Sequence, residues 1–333
     1  MSKPTPKILL YTEFEKTLKV SGLGKSIDHQ KQALKDNRIP FTLNPKDDFD
    51  IIHINFYGPK SYLAAKRAKH RGKKVVYHAH STEEDFKNSF WFANLISPLF
   101  KRWIIKCYKL GDVIITPSEY SKKLLESYGL KNIYAISNGI DLDLFSRDES
   151  AGKKFRKKYH FSEKDKVVMG IGLFFERKGI LDFIELAKTF PEYKFIWFGN
   201  INKSLIPHKI RKALNVKLPN LIFPGHVPQP EIKAALSGAD LYIFPTFEET
   251  EGIPALEALA CKTPMILRDI PVFDFLKNKK EVYKAKNLAE FKTLTKNILE
   301  KNLPDLTKAG YKKAEEKSVR SVGKQLIEIY KTL

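Results

Sequence analysis

Apolar and polar positions along the chain follow two alternating rhythms. Short, nearly unbroken apolar runs recur at 7–12 (KILLYT), 50–54 (DIIHI), 74–79 (KVVYHA), 112–116 (DVIIT) and 132–136 (NIYAI). Such runs read as strands covered on both faces, because burial on both sides removes the polar half of the usual alternation. Between them, 27–35, 60–70 and 118–128 read as helices. The pattern then restarts, with strands expected at 166–173, 194–199, 220–223 and 240–245. Between the first two of these, Ile180, Phe183, Ile184, Ala187 and Phe190 fall on one helical face. Strand, helix, strand at this spacing predicts parallel, doubly wound sheets. The fold class is therefore α/β, with two Rossmann-like parallel-sheet domains facing a cleft and ligands at the carboxyl ends of the strands. The expected domains are 1–149 and 150–318, joined through a charged stretch at 147–160 that reads as a linker. Residues 319–333 form a last amphipathic helix, expected to pack back on the first domain.

A length of 333 residues suits two domains, and 43% hydrophobic residues are enough to build two cores, which excludes disorder. Two cysteines, Cys107 and Cys261, make no disulfide framework and fit a reducing compartment. No signal peptide is evident at MSKPTPKILLYTEF, and no apolar stretch reaches the ~20 residues needed to span a bilayer. Charge changes the picture most. The net charge is +21, with +8 over residues 1–149 and +13 over the remainder, so the excess is not a basic tail. It biases the protein toward polyanions: nucleic acid, an anionic lipid surface or a phosphorylated substrate. No nucleic-acid reader motif is present, and no nucleic-acid partner is expected.

Three segments carry candidate chemistry. After the first strand, Ser21-Gly22-Leu23-Gly24-Lys25-Ser26 opens a helix. It is not a P-loop, because GxxxxGK[ST] needs a glycine where Lys19 stands. What survives is a small-residue turn at Gly22 and Gly24, whose backbone can face a phosphate or sugar or simply enter the helix. The second segment, 170–179 (GIGLFFERKG), sets Arg177 and Lys178 just before a helix. Cations there oppose the macrodipole, but beside a bound diphosphate they make charge-assisted hydrogen bonds. In the third, 244–266, strand 240–245 runs into Glu248, Glu249 and Glu251, then Gly252, Ile253 and a helix holding Glu257. Crowded carboxylates repel one another, and a structural role does not require them. Beyond a strand end they suit paired sugar hydroxyls, and Glu249 and Glu257 make an E-x7-E pattern.

With these motifs the sequence resembles the family 4 glycosyltransferases of GT-B fold, retaining enzymes that use nucleotide sugars. The pieces occur in the family's order: 21–24, YHAH at 77–80, TPSEYS at 116–121, SNGID at 137–141, the 172–179 loop, FPGH at 223–226, and the E-x7-E segment with Thr263-Pro264. Residues 44–61, 78–90 and 172–179 bring it nearest to bacterial diglycosyldiacylglycerol synthases. The resemblance implies hexose transfer from UDP-glucose or UDP-galactose to monoglucosyldiacylglycerol; a capsule or cell-wall polysaccharide enzyme would share the same donor residues. It assigns catalytic roles to His80, Lys178 and Glu249. Glu249 would contact the donor sugar, Glu257 the ribose, and Lys178 the diphosphate. Gly22, Gly24, Gly252 and Ile253 complete the donor site, with Arg177 standing in for a family arginine where this chain has Leu173. Attack would be front-face, aided by the departing diphosphate. No tightly bound cofactor is expected. Two imidazoles, His78 and His80, without a clustered third ligand are poor evidence for zinc, and no divalent metal is expected.

The run 88–100 (NSFWFANLISPLF) is uncharged and rich in aromatics, but too short to span and interrupted by Pro98. After it, Leu99, Phe100, Trp103, Ile104, Cys107 and Tyr108 share a helical face, with Lys101, Arg102, Lys106 and Lys109 largely off it. Two outcomes fit: the apolar face packs on the first sheet, or it lies on an anionic surface. Phe90, Trp91, Phe92, Lys101, Arg102 and Trp103 are the candidate membrane or acceptor contacts, with a second basic face at 61–74. The expected location is cytoplasmic, bound peripherally to the inner face of the cell membrane.

Overall fold

The computed structural model describes residues 5–13 and 22–333. Ser21 and Lys19, which figure in the glycine-loop reading, lie outside the described residues. The chain forms two compact units: one of residues 1–86, 95–141 and 317–333, the other of residues 87–94 and 142–316. The join expected at 149 thus compares with a unit boundary after Asp141, and residues 87–94 count with the second unit.

The first unit holds a six-stranded parallel sheet of β1 (Ile8–Tyr11), β2 (Phe41–Thr42), β3 (Ile51–Ile54), β4 (Lys74–His78), β5 (Val113–Thr116) and β6 (Ile133–Ala135), in the order β2-β1-β3-β4-β5-β6. Its register sets Tyr11 beside Ile54 and Ile54 beside Tyr77. The carboxyl ends are therefore level, and Glu13, Asn55 and His80 all follow them directly. Helix Val319–Lys331 adds Val319, Val322, Leu326, Ile329 and Tyr330 to a core shared with Ile8, Leu10, Ala33 and Leu34.

The second unit repeats the architecture with β7 (Val167–Ile171), β8 (Lys194–Phe198), β9 (Leu221–Gly225), β10 (Leu241–Phe244), β11 (Met265–Arg268) and β12 (Tyr283–Ala285), in the order β12-β11-β10-β7-β8-β9. Strand order reverses between β7 and β10, the switch point outside which such sheets bind ligands. The loops leaving those two strands carry Lys178 and Glu249.

Three local expectations are corrected. Residues 147–160 are not a linker: Glu149–Lys158 is a helix. Asp148 caps it by accepting from the Ala151 N–H, Glu149 favours its positive end, and Arg156, Lys157 and Lys158 its negative end. Gly22 and Gly24 do not form a turn ahead of a helix; they belong to its first turn, since the helix spans Gly22–Asp36. Pro98 does not interrupt its segment either, because Ala93–Tyr108 is one helix containing it. Pro98 lies on the exposed side of that helix. The pattern also passed over β2, β11 and β12. β12 breaks its apolar run with Lys284, which is buried against Asp269 at 3.5 Å.

Candidate functional site

In the second unit the site grows from the loops after β7 and β10. A short 3-10 turn, Glu176–Lys178, ends at Gly179 with φ 74°. A side chain at Gly179 would put Cβ 2.2 Å from the Pro245 carbonyl oxygen, so glycine alone lets the two loops approach. Across this approach Phe247 N–H donates to the Arg177 carbonyl at 2.6 Å, and Thr246 Oγ1 sits 3.1 Å from the same oxygen. Lys178 Nζ reaches Glu249 Oε1 at 2.5 Å, and Thr246 Oγ1 lies 3.0 Å from that oxygen.

Both partners of the Lys178–Glu249 pair are largely withdrawn from water, and Glu251 and Glu257 are buried as well. Buried carboxylates are costly unless charge or hydrogen bonds meet them. Their field is visible at Tyr242, whose phenol is held well above its ordinary range by burial first and then by Glu257 and Glu249. The lysine is thus the local counter-charge to an acidic pocket. After Glu251, Gly252 adopts φ 88° and helix Ile253–Ala260 begins with no side-chain cap; Pro254 carries no N–H, and the Ala255 N–H donates to the Gly252 carbonyl at 2.9 Å.

Arg177 is placed differently from its expected partner. Its Nε donates to Ser89 Oγ at 2.7 Å and its Nη1 to the Glu248 carbonyl at 3.2 Å, while its guanidinium faces the Phe175 ring. It braces three loops. Phe90 leans edge-on against Phe175 within the same unit, with ring centroids 5.1 Å apart. Arg268, at the end of β11, does comparable work: it donates to the carbonyls of Pro245 and Lys286, pairs with Asp182, and stacks on Phe247 at 3.7 Å. Sequence reading missed Thr246, Ser89 and Arg268. Arg268 was hidden because its strand was not recognised.

In the first unit, His80 follows β4. Its Nε2 lies 3.1 Å from Asn55 Oδ1, and its ring stacks on His78 at 3.9 Å. Asn55 connects onward to Gln30, Gln30 to His53, and His53 to Tyr330. Burial holds His53 and His80 each down to about 3 and His78 well below its ordinary value, so all three rings are neutral at physiological pH. Ser26 donates to Asn138 at 2.6 Å beside this network, joining the first helix to the SNGID segment. Among the described residues no cluster of three or more His, Cys, Asp or Glu is arranged to hold a metal ion.

The apolar run behaves in two ways. Ile104, Cys107 and Tyr108 are buried, and Phe100 and Trp103 pack partly against the sheet's core. Trp103 Nε1 donates to the Tyr57 carbonyl, and Lys101 pairs with Glu83 over the Tyr128 ring. These two side chains therefore have partners inside the fold. Leu99 departs from the expected packing face: it is 65% exposed, with Trp91 at 66%, Leu95 at 77%, and Phe90, Phe92 and Ile96 also exposed. Arg102 and Lys106 are exposed further along the same helix. No helix among the described residues is long and apolar enough to cross a membrane.

Two family models match the chain: "Glycosyltransferase Family 4" over residues 31–144 and "Glycosyl transferases group 1" over residues 152–316. The chain is 44% identical, over 97% of both sequences, to a processive diacylglycerol alpha-glucosyltransferase of Acholeplasma laidlawii. It is 26% identical to an alpha-galactosylglucosyldiacylglycerol synthase of Streptococcus pneumoniae, covering 77% of this chain and 71% of that one. Among solved structures, Anabaena HepE in complex with UDP and glucose superposes with a TM-score of 0.77 at 17% identity, over 98% of this chain and all of that one.

Proposed function

From the premise that this chain belongs to the family 4 glycosyltransferases and is a glycosyltransferase of GT-B fold, we propose that it transfers a hexose from a UDP-sugar to a glycolipid. The sugar is glucose or galactose, and glucose is favoured by the name of the 44% identical relative. The acceptor is monoglucosyldiacylglycerol, the product a diglycosyldiacylglycerol, and the anomeric configuration is retained. Identity to a diacylglycerol glucosyltransferase along 97% of both chains is the observation that carries this reading.

Each residue's part follows from its surroundings. Lys178, which pairs with Glu249, turns to the donor diphosphate, where it stabilises the charge that develops on departure. Glu249 then accepts hydrogen bonds from the sugar hydroxyls, and Glu257 from the ribose. The N–H groups opening helix Ile253–Ala260, at Gly252 and Ile253, serve the phosphates, as the backbone at Gly22 and Gly24 does for phosphates or acceptor. Arg177 braces the loop that presents Lys178. His80 stands by the donor sugar and the reacting centre. No metal enters the scheme; the cationic side chain and helix N-termini supply the positive potential.

The exposed run supports an anionic membrane as the place where the acceptor is met. Large aromatic and aliphatic side chains facing water, followed by Arg102 and Lys106, suit insertion at the headgroup boundary. The exposed Lys60, Lys66, Arg67 and Lys69 on helix Pro59–His70 add attraction, about 1 kcal/mol per cation near an anionic surface. These features support a peripheral position on the inner face of the cell membrane. Replacing Trp91 and Phe92 together with Ser should weaken binding to anionic liposomes by at least about tenfold, since each aromatic loses roughly 1.5–3 kcal/mol of burial. Unchanged binding would remove the membrane assignment.

The function itself is tested by supplying UDP-glucose or UDP-galactose with diacylglycerol or monoglucosyldiacylglycerol in anionic mixed micelles, then identifying the lipid product and its anomeric linkage. A glycolipid extended by one α-hexose is expected. Donor turnover only with a polyisoprenoid or polysaccharide acceptor would overturn the lipid reading.

A further inference from the structure

The buried polar groups behind His80 form a chain of hydrogen bonds with a branch at His78, whose Nδ1 lies 3.2 Å from His53 Nε2 and 3.5 Å from Gln30 Nε2. Asn55 Nδ2 donates to Gln30 Oε1 at 2.8 Å, which leaves Asn55 Oδ1 as the acceptor facing His80 Nε2 at 3.1 Å. His80 must therefore carry its proton on Nε2. Gln30 Nε2 donates to His53 Nε2 at 2.9 Å, so the His53 proton is on Nδ1, and Nδ1 donates to Tyr330 Oη at 2.7 Å. Gln30, His53, Asn55 and Tyr330 are all at least 95% buried, so water does not substitute for any link. Four elements are joined in this way: the first helix, β3, β4 and the helix Val319–Lys331.

We propose that Gln30, Asn55, His53 and Tyr330 are positioning residues that hold His80 as the Nε2–H tautomer. The inference rests on the reading of His80 given above and adds the groups that set its proton. Among the described residues the imidazole also meets His78, stacked on it, His53, and Asn138, which hydrogen-bonds to it. The Asn55 amide oxygen facing Nε2 is the contact that selects which nitrogen carries the proton.

Tyr330 is the distant end of the chain and gives the sharpest test. Without its oxygen, the His53 Nδ1–H would be buried with no acceptor. Reversing every link removes that orphan donor: both amides turn over, His53 takes its proton on Nε2, and His80 takes its proton on Nδ1. Tyr330→Phe should therefore exchange the Nδ1 and Nε2 resonances of His80 in the 15N spectrum of histidine-labelled full-length protein. Its kcat should fall at least about tenfold, with the donor KM within about twofold of wild type. A merely structural tyrosine would lower the melting temperature without moving the tautomer; a wild-type His80 tautomer in Tyr330→Phe would overturn the proposal.

Asn55→Asp tests the chain independently, should Tyr330→Phe not fold. A carboxylate can only accept, so His80 stays protonated on Nε2 and gains its second proton more readily. The rate should then fall on acidification in a range where wild type is flat; identical pH profiles would count against the relay. His80→Ala separates the two layers of argument. Wild-type transfer by that variant would reject His80 as a group at the reacting centre, while the tautomer spectra would still decide whether the relay exists.

Discussion

Lys178 and Glu249 show how a residue's chemistry is set by its neighbours. Each alone would be a poorly solvated charge; together at 2.5 Å each meets the other's charge. On the role proposed for it, in which its interaction strengthens as the diphosphate departs, Lys178→Ala should lower kcat at least about a hundredfold at saturating donor. Near wild-type kcat with only a raised KM would show that Lys178 merely binds. Lys178 and Glu249 both stood out in the sequence, since a carboxylate cluster after a strand and cations before a helix are locally unfavourable, and the structure brings the two together. The partners of Arg177 were not legible. Ser89 is 88 residues away in sequence and the Glu248 carbonyl 71, and no local pattern encodes such a contact. Asn55 and Gln30 were hidden for the same reason, although His53 inside a fully buried strand was a visible anomaly.

At the scale of elements, sequence served well where one physical signal dominated and failed where two competed. The apolar runs located nine strands because burial on both faces leaves no polar alternation to confuse. The segment 147–160 misled because its dense charge outweighed its helix signals: Asp148 at the cap, Glu149 after it, and Phe155 buried on one face. Asp148→Ala should remove the bond to the Ala151 N–H and lower the stability of the second unit by about 1 kcal/mol. Thermal unfolding followed through the buried Trp197 would register it, and an unchanged midpoint would mean the cap contributes nothing. Helix Ala93–Tyr108 shows the same competition resolved along its length. Its later turns bury Ile104, Cys107 and Tyr108, while Leu95, Ile96 and Leu99 in the earlier ones face outward. A single amphipathic stripe could not describe both halves.

The whole molecule divides its ionisable groups unequally. His53, His78 and His80, the three imidazoles that burial holds neutral, all belong to the first unit. Their ordinary value is 6.5, and His53 and His80 fall to about 3 in the folded protein. Between those limits the unfolded chain binds more protons than the folded one, so stability rises with pH and is lost as pH falls from 6.5 toward 3. The sign is opposite to that of a histidine held by an acidic partner. At pH 5 each such group withdraws about 2 kcal/mol, whereas most carboxylates, with ordinary values near 4, still keep their charge. Acidification to pH 5 should therefore weaken the first unit well before the second. Single-tryptophan variants separate them, with Trp103 reporting on the first unit and Trp197 on the second. The Trp103 transition should move to lower temperature between pH 7 and pH 5 while the Trp197 transition stays nearly fixed. His53→Gln keeps a polar side chain in the relay but removes one titrating group, so it should flatten the first unit's pH dependence by about a third of the total. Parallel shifts of both transitions, or an unaltered slope in His53→Gln, would mean that acid acts through the surface charge of the +21 chain rather than through its buried imidazoles.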